Sequence, residues 1–323
     1  MSDSHAAAQR SAHRRGQLAI VAASVCWSTA GVLQRELSVD TATQIAGRAG
    51  VAAVVLSGLT AYQNRGRTIA AVRSIGWWGV LMAVCAASAS GCFIFALNRT
   101  TVANVLFLQA LAPLAAVLLS WLLMREGASP RTWLAMGVAL VGVAIMVGTP
   151  GSGPLAGWIA ATLMTVLFAA TMVITRHKRD ISMTPASALS QVLLFACAAP
   201  FADFGSMSRR DAVVMVLMGV TQTGLGQAFF VIGARLIPSA EVGVITLLEV
   251  ILGPFWVWWF HGERPVNSTL IGGAVAMLAI LVQATDRGHP MSVADPPVPA
   301  GVGGPPGGLP PDDPPVAAAQ QPL

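Results

Sequence analysis

The sequence predicts an all-α integral membrane protein of ten transmembrane helices arranged as two inverted five-helix repeats. Three observations predict it. The 323 residues are 55% hydrophobic and only 10% charged, with a mean hydropathy of +0.68, whereas soluble domains carry about a quarter of their residues as charges. The charges cluster between apolar runs of roughly 20 residues, the length a helix rising about 1.5 Å per residue needs to cross about 30 Å of hydrocarbon. The two halves of the apolar region are weakly self-similar. A β-barrel would instead alternate polarity over segments of about ten residues.

Taken in order, the first span, Gln17 to Leu33, lies between the basic cluster Arg10, Arg14, Arg15 and the pair Arg35, Glu36. Thr41 to Tyr62 runs from Asp40 to the Arg65, Arg67 loop, Gly76 to Leu97 from Arg73 to Arg99, and Thr101 to Met124 from Arg99 to Arg125. Thr132 to Gly148 closes the first half after Arg131. In the second half, Leu155 to Thr175 ends at Arg176, Thr184 to Ala202 ends at Asp203, and Ala212 to Gly233 lies between Asp211 and Arg235. Ser239 to Phe260 and Val266 to Ala284 flank the short polar loop containing Glu263 and Arg264.

With the N-terminus placed in the cytoplasm, Arg10, Arg14, Arg15, Arg65, Arg67, Arg73, Arg125, Arg131, Arg176, Lys178, Arg179, Arg235 and Arg287 fall inside, thirteen in all. Arg35, Arg99, Arg209, Arg210 and Arg264 fall outside, so the positive-inside rule predicts a cell membrane protein with both termini cytoplasmic. Arg14 and Arg15 precede an apolar run as in an export signal, but no A-x-A site follows and Val25 spoils a lipobox before Cys26. The first span therefore reads as an uncleaved anchor.

The domain organisation expected is a cytoplasmic segment at 1–16, repeats at 17–148 and 149–287, and a tail at 288–323. That tail holds eleven prolines and reads as a disordered extension or a ligand for a proline-recognising partner. A net charge of +5 invites a nucleic-acid reading, but the basic residues are spread over loops and form no patch. Cys26, Cys85, Cys92 and Cys197 lie in apolar runs with no CxxC, which suggests packing and no metal site.

Five spans per half would invert the second half. A shift of 137 residues matches Ala103 with Ala240, Val105 with Val242, Leu111 with Leu248, Trp121 with Trp258 and Glu126 with Glu263. A shift of 141 matches Gly16 with Gly157, Ala19 with Ala160 and Arg35 with Arg176. The Trp and Glu pairs carry most weight, because Ala and Val match by chance.

Cys26-Trp27-Ser28, Arg48, the stretch ALNRTTVANVLFLQALAPLAAVLLSWLLMREGASP and its counterpart ARLIPSAEVGVITLLEVILGPFWVWWFHGERP point to a known family. On these residues the chain resembles the EamA-type transporters of the drug/metabolite transporter superfamily over about 17–284. The resemblance implies ten helices in two inverted repeats and export of amino acids or related metabolites. Where the family often has Glu-Pro in the ninth span, this chain has Glu249-Val250, with proline four residues on at Pro254. Glu126 and Glu263 follow the family's loop pattern and read as caps of the next helix or as local partners of Arg125 and Arg264.

An ionisable side chain inside a span costs about 2.5 to 3.5 kcal/mol or more, so it needs a cavity or a partner. Arg48 lies about 10 Å from the outer face and Glu249 about 16 Å from the inner one, at about 1.5 Å per residue. They are expected to line one central cavity, paired with each other or holding opposite charges of a zwitterionic solute; a buried structural pair that fixes helix register, or an arginine that snorkels outward, is the competing reading. Glu249 is the candidate proton carrier, and Glu241 a solvated end residue or gate. Ser24 and Ser28, then Ser187 and Gln191, then Gly219, Thr223, Gly226 and Gln227 form polar stripes usable for solute or for packing. The substrate-binding residues expected are Trp27, Ser28, Arg48, Gln109, Gln191, Thr223, Gln227 and Glu249. Trp77, Trp78, Trp158, Trp256, Trp258 and Trp259 read as interfacial anchors, and Pro113, Pro200 and Pro254 as kinks.

No GxxxxGK[ST], HExxH or GxSxG occurs, and the histidines lie in tails or loops, so neither ATP-driven transport nor an intramembrane enzyme is expected. No cofactor or metal is called for. The expected partners are a small-molecule solute and the lipid bilayer, with no nucleic acid, and with a homodimer and proton coupling as further expectations. The function expected is secondary transport of a small organic metabolite, an amino acid-like or drug-like solute, across the cytoplasmic membrane by alternating access, with export implied by the family resemblance. The alternative is a membrane receptor or regulator whose proline-rich tail recruits a partner.

Overall fold

The computed structural model describes residues 2–124, 130–147, 153–178, 183–234, 236–237 and 239–284. The expectations for Glu126 and the proline-rich tail lie outside the described residues, as do those for the side chains of Arg176, Gln227 and Glu241.

The first expected span is α1 (Ser2–Ser28) continued by α2 (Ala30–Arg35). Helix starts well before Gln17 because the leading AAAQRSAHRR segment is rich in good helix formers. The break at Thr29 is local: Ser28 Oγ donates to the Val25 carbonyl at 2.8 Å and Thr29 Oγ1 to that of Cys26 at 2.6 Å, hydroxyls competing with the helical ladder. α3 (Thr41–Gln63) starts at Asp40, whose carboxylate accepts from the Thr43 amide at 2.8 Å. A short α4 (Thr68–Ser74), not anticipated, precedes α5 (Gly76–Arg99).

α6 (Val102–Ala110) and α7 (Ala112–Met124) form the fourth expected span, bent by 42°. Pro113 causes the bend, since it has no N–H for the Gln109 carbonyl and its ring crowds the preceding turn. The Leu108 carbonyl beside the break accepts from the Leu111 amide and from the buried Thr165 hydroxyl, each at 3.0 Å. α8 (Pro130–Val147) ends the first half, and α9 (Leu155–His177) and α10 (Thr184–Ala198) open the second.

The eighth expected span divides into α11 (Arg209–Met218), a π-helical stretch at Gly219–Gly226, and α12 (Gln227–Ala234). α13 (Ser239–His261) passes through Pro254 without interruption, and α14 (Asn267–Ala284) follows. Of the three expected prolines, Pro113 is the one that breaks its span into two helices. Pro200 sits in a single 3₁₀ turn that ends α10, where a missing N–H costs little.

Each expected span falls on helix. Five described helices are long and apolar enough to cross a bilayer, six if the bent α6–α7 pair counts as one. The bundle is inside out for water: Val54, Leu123, Leu140, Leu278 and Trp259 are exposed, while Ser24, Thr43, Asn104, Ser190 and Thr269 are buried. Lipid is the solvent that suits such a surface.

Packing repeats across the halves. α8 lies along α14 and α3 along α10; α5 packs on α9 as α1 does on α12, and α1 packs on α13 as α6 and α7 do on α9. The equivalence extends to single residues. Gly16 abuts Leu236 and Ile237, and Gly157 abuts Arg99 and Thr100; the 137-residue shift carries Arg99 to Leu236 and Thr100 to Ile237. The two contacts lie at opposite ends of the bundle. At the α8–α14 crossing Gly142 and Gly272 meet backbone to backbone, so that a Cβ on either would strike the other's carbonyl oxygen.

The end of the bundle that carries Glu263 is knit from both halves. Glu36 pairs with Arg210 and, at 3.1 Å, with His261. Asp211 accepts from the Ser208 hydroxyl and amide and from the Ser38 amide and hydroxyl, closing a capping box at the start of α11. The Ser208 hydroxyl first, with the Ser38 amide, holds the Asp211 carboxyl down at about 2. A carboxyl depressed in the fold stabilises it above the ordinary value near 3.8 and ceases to do so as pH falls toward 2. The thermal midpoint of the parent in detergent is therefore expected to fall between pH 4 and 2, and Asp211→Asn to start lower and lose that part of the slope; an unchanged slope would contradict the assignment.

Candidate functional site

Arg48 and Glu249 are brought into the same interior. They lie deep among the helices, half-buried, and close enough for their charges to interact. They make no direct ion pair among the described residues. The Arg48 guanidinium lies over the Phe93 ring of α5, 5.5 Å from its centroid, and its Nη1 is buried without a partner. A buried N–H group left unpaired is costly and calls for an acceptor.

Their heights follow from contacts along α1. Gly253 abuts the Ser28 carbonyl and Ser24 Oγ reaches the Ile245 carbonyl at 3.4 Å, so Glu249, midway between Ile245 and Gly253, stands near the level of Cys26. Gln34 Nε2 donates to Gln44, which places Arg48, one turn further along α3, near the level of Ala30.

Trp27 lies between those levels. Its indole N–H donates to the backbone carbonyl of Gln222 at 3.0 Å, and its ring stands 5.3 Å from Phe230. The acceptor is in the π-helical stretch, whose sequence GVTQTGLG favours irregular helix: three glycines, and Thr221, whose hydroxyl takes the Leu217 carbonyl at 2.8 Å. The buried Ser28 hydroxyl is engaged twice, donating to Val25 and accepting from the Trp256 indole at 3.0 Å.

Of the other expected residues, Gln109 is half-buried at the α6–α7 break, and half-buried Gln191 donates to Ser190 Oγ at 3.3 Å. Thr223 is half-buried in the π stretch. The residue that α-helical spacing missed is its neighbour Gln222, 5% exposed, with neither Oε1 nor Nε2 partnered. Gly219 meets Val51 and Gly224 meets Val55, five residues against four, so the wide turns shift which side chains face α1 and α3. The three clustered glycines were the available signal. Two tryptophans also differ from expectation: Trp158 is buried in the core and Trp256 faces Ser28 instead of an interface.

Glu263 is structural but not local. Its Oε2 accepts from Arg35 Nε at 2.9 Å and its Oε1 from the Val102 amide at 3.1 Å, the first turn of α6, while Arg264 lies over Trp258. Arg35 also donates to the carbonyls of Leu97 at 2.7 Å and Thr100 at 3.1 Å. The expected cap is thus delivered to α6, a helix of the first half, and not to α14. The long-range partner lies 228 residues away, beyond any local spacing rule.

Comparison with known proteins agrees with this architecture. An uncharacterized transporter of Archaeoglobus fulgidus is 25% identical over 191 residues, 59% of this chain and 70% of that protein. A crystal structure superposes with a TM-score of 0.55 over 83% of this chain and 95% of the other at 17% identity, a likeness of fold. The EamA-like transporter family matches twice, over 14–148 and 155–285. The doubled match and the repeated packing make this chain a multi-pass membrane transporter, not an enzyme, and a member of the EamA-like transporter family of the drug/metabolite transporter superfamily.

Proposed function

We propose that the protein is a secondary transporter exporting a small zwitterionic organic solute, amino acid-like in its charges, through ten spans arranged as two inverted repeats. One observation carries the reading: Arg48 and Glu249 share the interior without pairing, and a guanidinium N–H of Arg48 has no partner. Arg48 would take the solute's carboxylate and Glu249 its ammonium, each charge leaving water only for an opposite charge. The remaining binding groups proposed are Trp27, Ser28, Gln109, Gln191, Thr223 and Gln227, with Trp27 supplying an apolar wall.

Equivalent contacts at Gly16 and Gly157 on opposite ends support inversion, and the ion pairs joining both halves at the Glu263 end support a conformation closed there. Proton coupling through Glu249 and cytoplasmic termini belong to the same proposal. The test is uptake into proteoliposomes of a panel of radiolabelled amino acids, with singly charged amines and carboxylates as comparators, with and without a pH gradient. Selective uptake of zwitterions, driven by the gradient, is expected. Equal uptake of amines or acids alone would overturn the zwitterion reading, and indifference to the gradient would remove proton coupling.

A further inference from the structure

Gln222 presents a buried carboxamide with no protein partner for its donor or its acceptor. Such a group is rare, because an unmet amide in a low-dielectric interior loses hydrogen bonds that water supplied in the unfolded chain. Its placement is determined by the π stretch. The Gln222 carbonyl is held by Trp27, Gly219 is pressed against Val51 of α3, and Gly226 against Trp27 of α1. Gln222 therefore belongs to the wall shared by α1 and α3, at the level of Trp27, between the levels of Glu249 and Arg48 derived above.

Building on the zwitterion reading, we infer that Gln222 is a specificity-determining residue that selects solutes whose uncharged end carries a donor and an acceptor side by side, as a carboxamide or ureido group does. The chemistry is complementary. A primary amide meets another amide through two parallel N–H to C=O bonds, satisfying both orphaned atoms together. An apolar solute of the same size leaves Gln222 unmet, and sites built to hydrogen-bond a polar group reject analogues lacking it far better than apolar pockets reject extra bulk. The two charged residues recognise what all zwitterions share; Gln222 reads what differs between them.

The experiment uses the full-length protein in proteoliposomes with L-glutamine and L-methionine, zwitterions of similar size that differ in the amide. Parent and Gln222→Met, a change that conserves volume, are compared by initial rates, with Gln222→Glu as the polar control and thermal midpoints measured on each. The parent is expected to favour glutamine. Gln222→Met should lower the glutamine-to-methionine ratio by about tenfold, the worth of roughly one net hydrogen bond, through KM more than kcat, with a thermal midpoint at or above the parent's. Gln222→Glu should keep part of the preference. A ratio unchanged in Gln222→Met, with both amino acids still carried, would overturn the role of Gln222, leave the zwitterion reading intact and assign the amide to an ordered water only. A parent that carries neither amino acid would remove both readings.

Discussion

Arg48→Ala is expected to reduce zwitterion uptake at least a hundredfold, and Glu249→Gln at least tenfold, with the protein still folded in detergent. The asymmetry follows from what each change leaves behind. Without Arg48, the Glu249 carboxylate faces the interior alone and repels the solute carboxylate that Arg48 would have held. Without the Glu249 charge, Arg48 still offers a donor with no protein partner, so the carboxylate end of the solute keeps its site. A charge-assisted hydrogen bond contributes about 1.5 to 3 kcal/mol, or roughly one to two powers of ten in binding. Arg48→Lys should fall between parent and alanine, since one ammonium cannot reproduce the forked donor set. The check separates transport from folding: initial uptake rates beside thermal unfolding of each variant, with Arg48→Met/Glu249→Leu as the double variant. A purely structural pair predicts that the double variant recovers both stability and transport; a binding pair predicts stability without transport. Transport at parental rates in both single variants would refute the assignment.

The second large effect is expected at Arg35. Its guanidinium joins three elements at once, donating to Glu263, to the Leu97 carbonyl and to the Thr100 carbonyl, with the side chain three-quarters buried. Arg35→Ala strips the last turn of α5 of two partners and leaves Glu263 with the Val102 amide alone. The loss should be on the order of 3 kcal/mol in unfolding free energy, because charge-assisted bonds in a partly buried site are removed together. Arg35→Lys should recover less than half, and Glu263→Gln should cost least, since an amide oxygen still accepts from Val102. The ranking of thermal midpoints, parent above Glu263→Gln, then Arg35→Lys, then Arg35→Ala, tests the geometry. A midpoint for Arg35→Ala equal to the parent's would mean the clamp contributes nothing.

Residue periodicity and charge spacing located the helices, because a bilayer leaves few alternatives: ten apolar runs were expected, and each falls on helix. The same logic singled out Arg48 and Glu249, whose charge makes them conspicuous in an apolar run. What escaped were features that depend on distant or irregular contacts. The partner of Glu263 is Arg35 on α2, which no local capping rule reaches. Trp158 joined the core although indoles favour interfaces. Pro254 passed without a break in α13, whereas Pro113 bent its span. Gln222 was hidden by the assumption of 3.6 residues per turn; with wider turns, the stripe drawn through Thr223 shifts, and the silent neighbour becomes the buried one.

The indole of Trp27 is moored to a peptide carbonyl, not to a side chain. Replacing the Gln222 side chain would therefore leave this mooring in place, since the substituted chain keeps the same oxygen, whereas a methyl added at Gly226 would press on the indole nitrogen itself. The tether is thus blind to the side chain of the residue that accepts it and sensitive to whatever shifts the backbone or crowds the ring: a deleted codon that rewinds the wide turns, a bulkier residue at Gly226, or a lesion in Trp27 itself.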